Sequence, residues 1–275
     1  MEHASVIALW IAFLLYAGAF AYFLYHLFSR RASMNRVGMI LVAAGLVFHA
    51  AALVTRGVAA GHLPVAGAYE SLVLVAFSLT LVYHVLESFT RIQAVGLYVM
   101  PVVLVLLTVA WTRYKAPGSL VPALRSDIVG LHVIVILLAV GCLYVAGGAA
   151  IIYLIERGQL KRRHLGPVLG RLPSLGALDK LVYHAVLLGL PFLTMGMVVG
   201  VIRAVTYHVP DWWVDPLVLL ALALWAIYVV LLWGRMRRGW GGSKASWLAI
   251  AGLVLLFVIR FAAVPYLSNF HKYGA

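Results

Sequence analysis

Residues 128–155 read IVGLHVIVILLAVGCLYVAGGAAIIYLI. No Asp, Glu, Lys or Arg interrupts these 28 positions, and a helix crossing the roughly 30 Å hydrocarbon core of a bilayer needs only about 20 apolar residues. Seven further apolar runs of spanning length lie at 4–28, 36–56, 65–89, 93–111, 180–205, 213–234 and 244–268. The chain as a whole agrees with its parts. Of its 275 residues, 65% are hydrophobic and 11% charged, and the mean hydropathy is +1.04, whereas soluble domains run near 45–50% apolar and about 25% charged. So little polar surface cannot cover a sphere in water. Lipid must be the solvent, and only helices satisfy their own backbone there without closing a barrel. The expectation is an all-α, polytopic membrane helix bundle of about eight transmembrane helices. No linker, composition shift or internal repeat divides it, so 1–275 reads as a single integral-membrane domain.

The formal net charge of +13 does not point to nucleic acid, because the basic residues are not gathered on one face among stacking aromatics. They stand in short runs between apolar stretches, as in Arg30-Arg31, Lys161-Arg162-Arg163 and Arg235-Met236-Arg237-Arg238, which is the pattern of cytoplasmic loops. With the N-terminus outside, 14 of the 21 Lys and Arg fall on the inner side, 6 on the outer side and Arg260 within the last span. This bias predicts both termini and the segment 206–216 outside, and the loop 156–179 inside. The first run is followed by positive charge instead of preceded by it, so it does not read as a cleavable signal peptide. The single cysteine, Cys142, reads as a small buried hydrophobe, and no C-x-x-C-H is present to attach a c-type heme covalently. Nucleophile-elbow, Walker, Rossmann and H-E-x-x-H patterns are missing as well, so no autonomous catalytic apparatus is legible. Gly196 and Gly200 are spaced for close helix contact, and Pro191 is placed to kink the sixth span.

Ten histidines accompany only eight acidic residues. On the predicted topology His62, His132, His208 and His271 lie at or beyond the outer helix ends, and His49 lies in the outer half of the second span. His26, His84 and His184 fall in inner halves, His164 in an inner loop, and His3 at the outer N-terminus. A lone interfacial histidine is usually a polar tip among headgroups. Four on one face, beside Arg56, Arg203 and Arg260, point further, because neutral imidazole ligates heme iron and other metals. An arginine at the depth of Arg260 is costly unless an anion meets it. Heme would supply two propionates to the arginines and a flat apolar disc to the aromatics. Zinc is less suited, since no compact His/Cys/Glu spacing is present.

Gly61-His62-Leu63-Pro64 with Tyr69-Glu70-Ser71-Leu72 resembles the G-H-x-P…Y-E-S-L entry of the cytochrome c assembly proteins of the CcsA/CcmC type. Leu131-His132-Val133, Leu178-Asp179-Lys180-Leu181 with Leu188-Gly189-Leu190-Pro191, Gly239-Trp240, and His271-Lys272-Tyr273-Gly274 extend the likeness over about residues 45–275. Eight spans suit the CcsA branch better than the shorter CcmC branch. The resemblance implies a heme-handling protein of a bacterial inner membrane, binding heme b non-covalently at the outer, periplasmic face for cytochrome c biogenesis. By resemblance, His132 and His271 would be the axial ligands of the iron, and Trp212, Trp213 and Asp215 would line the site. Arg56, Arg203 and Arg260 would meet the propionates. The family's W-G-x-x-W-x-W-D-P-K-E segment falls here on His208, Trp212, Val214, Asp215, Pro216, Leu217 and Val218, so His208 is a rival ligand. The family's inner histidine of the seventh span falls on Trp233, and its partner within the membrane would be His49. Implied partners are heme, other membrane subunits of an assembly, heme-delivery or cytochrome c synthetase complex, and apocytochrome c. Two alternatives stay open: a heme-b subunit carrying electrons in a respiratory complex, with His84 and His184 holding a second heme, and an accessory membrane protein that has lost heme.

Overall fold

The structure is a computed structural model that describes residues 1–29, 36–65, 67–116, 126–162 and 173–267. Among the described residues it is all-helical, with eight helices long and apolar enough to cross a membrane, as the hydropathy predicts. In chain order they are α1 (Glu2–Phe28), α2 (Val37–Ala60), α3 (Ala68–Thr90), α4 (Gly96–Thr112), α5 (Asp127–Lys161), α6 (Leu175–Thr206), α7 (Pro216–Arg238) and α8 (Ser243–Val258). Short 3-10 turns at Gln93–Val95 and Trp212–Val214 precede α4 and α7. Polar residues set the starts of three helices. Ser126, Ser174 and Asp215 each accept a hydrogen bond from a first-turn N–H of α5, α6 and α7, satisfying donors that no helix can satisfy itself. Pro191 lies inside α6, which continues through it.

α5 is the hub. It packs along α6 on one side and against α3 and α8 on others, while α1 pairs with α2 and α4 pairs with α3 and α1. Small residues allow the closest approaches: at Gly45 of α2 a Cβ would come within 2.4 Å of the Tyr16 ring of α1. Such contacts matter in lipid, where tails are as apolar as side chains and close packing must supply the attraction. After Val258 the last helix passes into a π-helical stretch, Ile259–Leu267. Pro265 lies within it, and a ring without an N–H cannot continue the α ladder. The hydropathy of the eighth run gives no sign of this change.

Each end of the bundle is tied by an ion pair. At the end where α3 and α5 begin, Arg56 of α2 donates through Nε to Glu70 Oε1 at 2.9 Å and through Nη2 to the Lys115 carbonyl at 2.7 Å. Its guanidinium lies between the rings of Tyr69 and Tyr114, 4.5 and 5.4 Å from their centroids, and Tyr114 in turn donates to Glu2 at 2.6 Å. At the opposite end, Arg235 of α7 grips Asp179 of α6 with two bonds of 2.8 and 2.7 Å. Asp179 also accepts from the Gly242 N–H at 2.7 Å, drawing the start of α8 into the same knot. We call the first the histidine end and the second the basic end.

Candidate functional site

His132 stands in the second turn of α5, half-buried against α6. Its Nδ1 is 2.8 Å from the Gly196 carbonyl, and since a carbonyl can only accept, Nδ1 carries the proton and Nε2 keeps its lone pair. Gly200, one turn further along α6, seats the ring: a Cβ there would lie 3.0 Å from Cε1 and 3.2 Å from Nδ1 of His132. The two glycines expected only to let helices approach thus also orient a histidine. Arg203 is near enough to interact electrostatically with this imidazole and lies 5.0 Å from the Tyr207 ring centroid.

Arg260, second in the π-helical stretch, reaches α3, where its Nη2 donates to Ser71 Oγ at 3.0 Å. Its Nε is buried and makes no hydrogen bond among the described residues. The first turn of α3 therefore serves two guanidinium groups. Tyr69 and Glu70 take Arg56, and the next residue, Ser71, takes Arg260. Arg56, expected among the propionate partners, is engaged in this knot, and among the described residues its Nη1 makes no hydrogen bond. Its pairing with Glu70 joins residues 14 apart in sequence; the turn at Gly61 (φ 72°) folds the end of α2 back so that they meet.

Beyond α6 the chain turns over the same end. His208 and Asp211 adopt left-handed φ values of 50° and 53°, and Trp212–Val214 forms the 3-10 turn. Trp212 and Trp213 meet edge to face at 6.0 Å. Trp213 is 56% exposed and His208 is exposed, whereas Asp215 is buried and caps α7 through the Leu217 N–H at 2.9 Å. From Gly200 to Thr206, the end of α6, is roughly 9 Å along the axis, so the segment that carries the tryptophans leaves α6 about that far beyond the level of Gly200. His271 lies outside the described residues. His49 is apart from His132: fully buried in α2, it sits 3.3 Å from the Tyr16 hydroxyl and edge-on to Phe77 at 5.3 Å. Among the described residues, no three His, Cys, Asp or Glu side chains converge to hold a metal ion.

Two comparisons bear on this arrangement. The sequence profile of the family described as Cytochrome C assembly protein matches residues 65–271, from just before α3 to the candidate histidine near the end of the chain. Among curated proteins, the chain is 27% identical to the cytochrome c biogenesis protein CcsA of Gloeobacter violaceus, covering 100% of this chain and 95% of that one. It is 29% identical to CcsA of Microcystis aeruginosa, covering 100% and 96%. CcsA of a Synechococcus species is 28% identical, covering 89% and 86%.

Proposed function

The chain belongs to the cytochrome c assembly protein family, and from that premise we propose that it serves cytochrome c biogenesis by holding heme b non-covalently at the histidine end of its membrane bundle. The observation that carries this reading is the setting of His132. Its Nδ1–H is donated to the Gly196 carbonyl, which fixes the tautomer and ring plane and leaves Nε2 available as a ligand, the usual support for a metal-binding imidazole. Heme, when bound, supplies an iron with axial positions for imidazole and two propionates. Arg260 suits a propionate, because its buried Nε makes no hydrogen bond among the described residues and a cation at that depth calls for an anion. Arg203, beside His132, would serve the second. Trp212 and Trp213 would shield the disc from above, and His271 would be the second ligand.

The bundle would lie in a bacterial inner membrane with the histidine end outward, and act with other membrane subunits of a cytochrome c assembly or synthetase complex on apocytochrome c. Family membership favours this role over that of an electron-carrying heme-b subunit or a heme-free accessory protein.

The test is the optical spectrum of the purified protein, oxidised and then reduced, with pyridine hemochrome stoichiometry. The expected result is about one low-spin, bis-histidine heme per chain. His132→Ala and His271→Ala should each empty the site or convert it to high spin, while His84→Ala and His184→Ala leave it unchanged. A low-spin spectrum that survives His271→Ala but is lost in His208→Ala would transfer the second ligand to His208. A spectrum indifferent to His132, or no heme after reconstitution, would overturn the site.

A further inference from the structure

We propose that the basic end of the bundle holds a binding site for a phosphate group, and that the headgroup of an anionic phospholipid is its source. A shallow, open depression of about 400 Å³ lies where the last turns of α5 and α7 meet the first turn of α8. Arg157 from α5, Arg238 from α7 and Lys244 from α8 line it, together with Tyr153, Trp240 and Ser243. Among the described residues that line it, none carries a carboxylate. Three cations around one concavity raise the local potential until an anion lowers it.

The depression is a built feature. Its floor is the turn Gly239-Trp240-Gly241-Gly242, with Gly239 and Gly242 at φ 63° and 57°. The Trp240 N–H donates to the Gly234 carbonyl at 3.1 Å, and the indole lies so close over Gly234 that a Cβ there would come within 2.2 Å of it. Gly242 is held by Asp179 at 2.7 Å, and the two bonds from Arg235 balance the charge of that carboxylate. Lys244 Nζ lies 5.7 Å from the Trp240 ring centroid, and the Arg238 guanidinium lies 4.8 Å from that of Trp233.

Donors complete it. Gly242 is the N-cap of α8 and makes no side-chain cap bond, so no side chain of that residue competes for the first-turn N–H groups and the positive end of the helix dipole. The Oγ of Ser243, one of the lining residues, is buried and makes no hydrogen bond among the described residues. A serine, a lysine and two arginines from three helices line the depression beside the first turn of α8, a set that suits the several acceptor oxygens of a phosphate better than the two of a carboxylate. Depth favours a lipid. Arg157 lies 30 residues beyond Asp127 on α5, roughly 45 Å along the axis, which is about the thickness of a bilayer with its headgroups. Basic pockets between transmembrane helices at this level accept anionic headgroups.

The test uses the full-length protein, delipidated in detergent, with binding followed by thermophoresis. One arm titrates phosphatidylglycerol in mixed micelles against phosphatidylcholine, and a second titrates inorganic pyrophosphate without lipid. Saturable binding of phosphatidylglycerol is expected, weakened about tenfold or more in Arg157→Gln/Arg238→Gln/Lys244→Gln. All three residues are exposed, and Lys244→Gln alone, weakened to a smaller extent, serves if the triple variant does not fold. The control, Lys161→Gln/Arg162→Gln, removes charge from the same end outside the depression and should bind as the parent does. Pyrophosphate binding with the same sensitivity, and none of the lipid, would keep the phosphate site and overturn the lipid as its source. Equal weakening in the control would mean diffuse attraction to a positive surface, and saturable binding of neither probe would mean no site. Both results overturn the proposal, and neither depends on heme.

Discussion

Gly200 has no side chain, yet it decides where the ring of His132 can lie. Adding a methyl group there places a carbon 3.0 Å from Cε1, tighter than ordinary contact, so the imidazole must shift or tilt. Gly200→Ala is therefore expected to lower heme occupancy or displace the visible spectrum toward high spin while the helix stays folded, alanine being the better helix former. Gly176→Ala, on the same helix with nothing within 4 Å of the added carbon, provides the comparison. Should both variants bind heme like the parent, the ring is not held by Gly200 and the argument for a positioned ligand fails. At this scale the sequence singled out His132 and the pair Gly196 and Gly200, but not that they belong together. Their contact joins residues 64 apart on two helices, and no local pattern encodes which faces meet. The same holds for Arg56. Its depth was legible, while its engagement with Glu70 depended on how tightly the Gly61 turn reverses the chain.

Among the elements, the first turn of α3 bears more than its share. Within three residues it stacks Tyr69 on Arg56, pairs Glu70 with Arg56 and offers Ser71 to Arg260, so it joins α2, α3 and the segment after α8. Both members of the ion pair are nearly buried, with side-chain exposures of 4% and 11%. Removing one partner from such a pair leaves an uncompensated charge, which costs about 3–5 kcal/mol, whereas replacing both by apolar groups of similar volume is close to neutral. Glu70→Ala should thus lower the thermal unfolding midpoint in detergent sharply, and Arg56→Met/Glu70→Leu should recover most of it. A double variant as unstable as the single one would show that Arg56 is required for its other contacts, the Lys115 carbonyl and the two tyrosines, more than for the pair. The Y-E-S run was legible as a motif of the family; its triple mechanical role was not, since its two partners, Arg56 and Arg260, arrive from other elements.

For the whole molecule, the two ends differ in kind: one gathers histidine, arginine and exposed tryptophan, the other a basic depression and the Asp179–Arg235 knot. The 14-to-6 division of basic residues predicts that the basic end faces the cytoplasm. In a Cys142→Ser background, His208→Cys should react with a membrane-impermeant maleimide in intact cells and Arg162→Cys only after lysis. The reverse pattern would invert the bundle and place the candidate heme site on the inner side. What the sequence by itself determined is immersion in lipid, eight crossings and the sorting of charge between the two ends. Each of these follows from runs of neighbouring residues, because the bilayer demands about 20 apolar positions in a row and a backbone that satisfies itself. What only the tertiary structure decided is the company each polar residue keeps: His132 with Gly196 and Gly200, His49 with Tyr16, Arg260 with Ser71, Asp179 with Arg235 and Gly242. In lipid the hydrophobic effect does not choose between helix faces, so close packing at small residues and scattered interhelical hydrogen bonds make the choice. Those contacts link positions far apart in the chain, and they exist only once the helices have assembled.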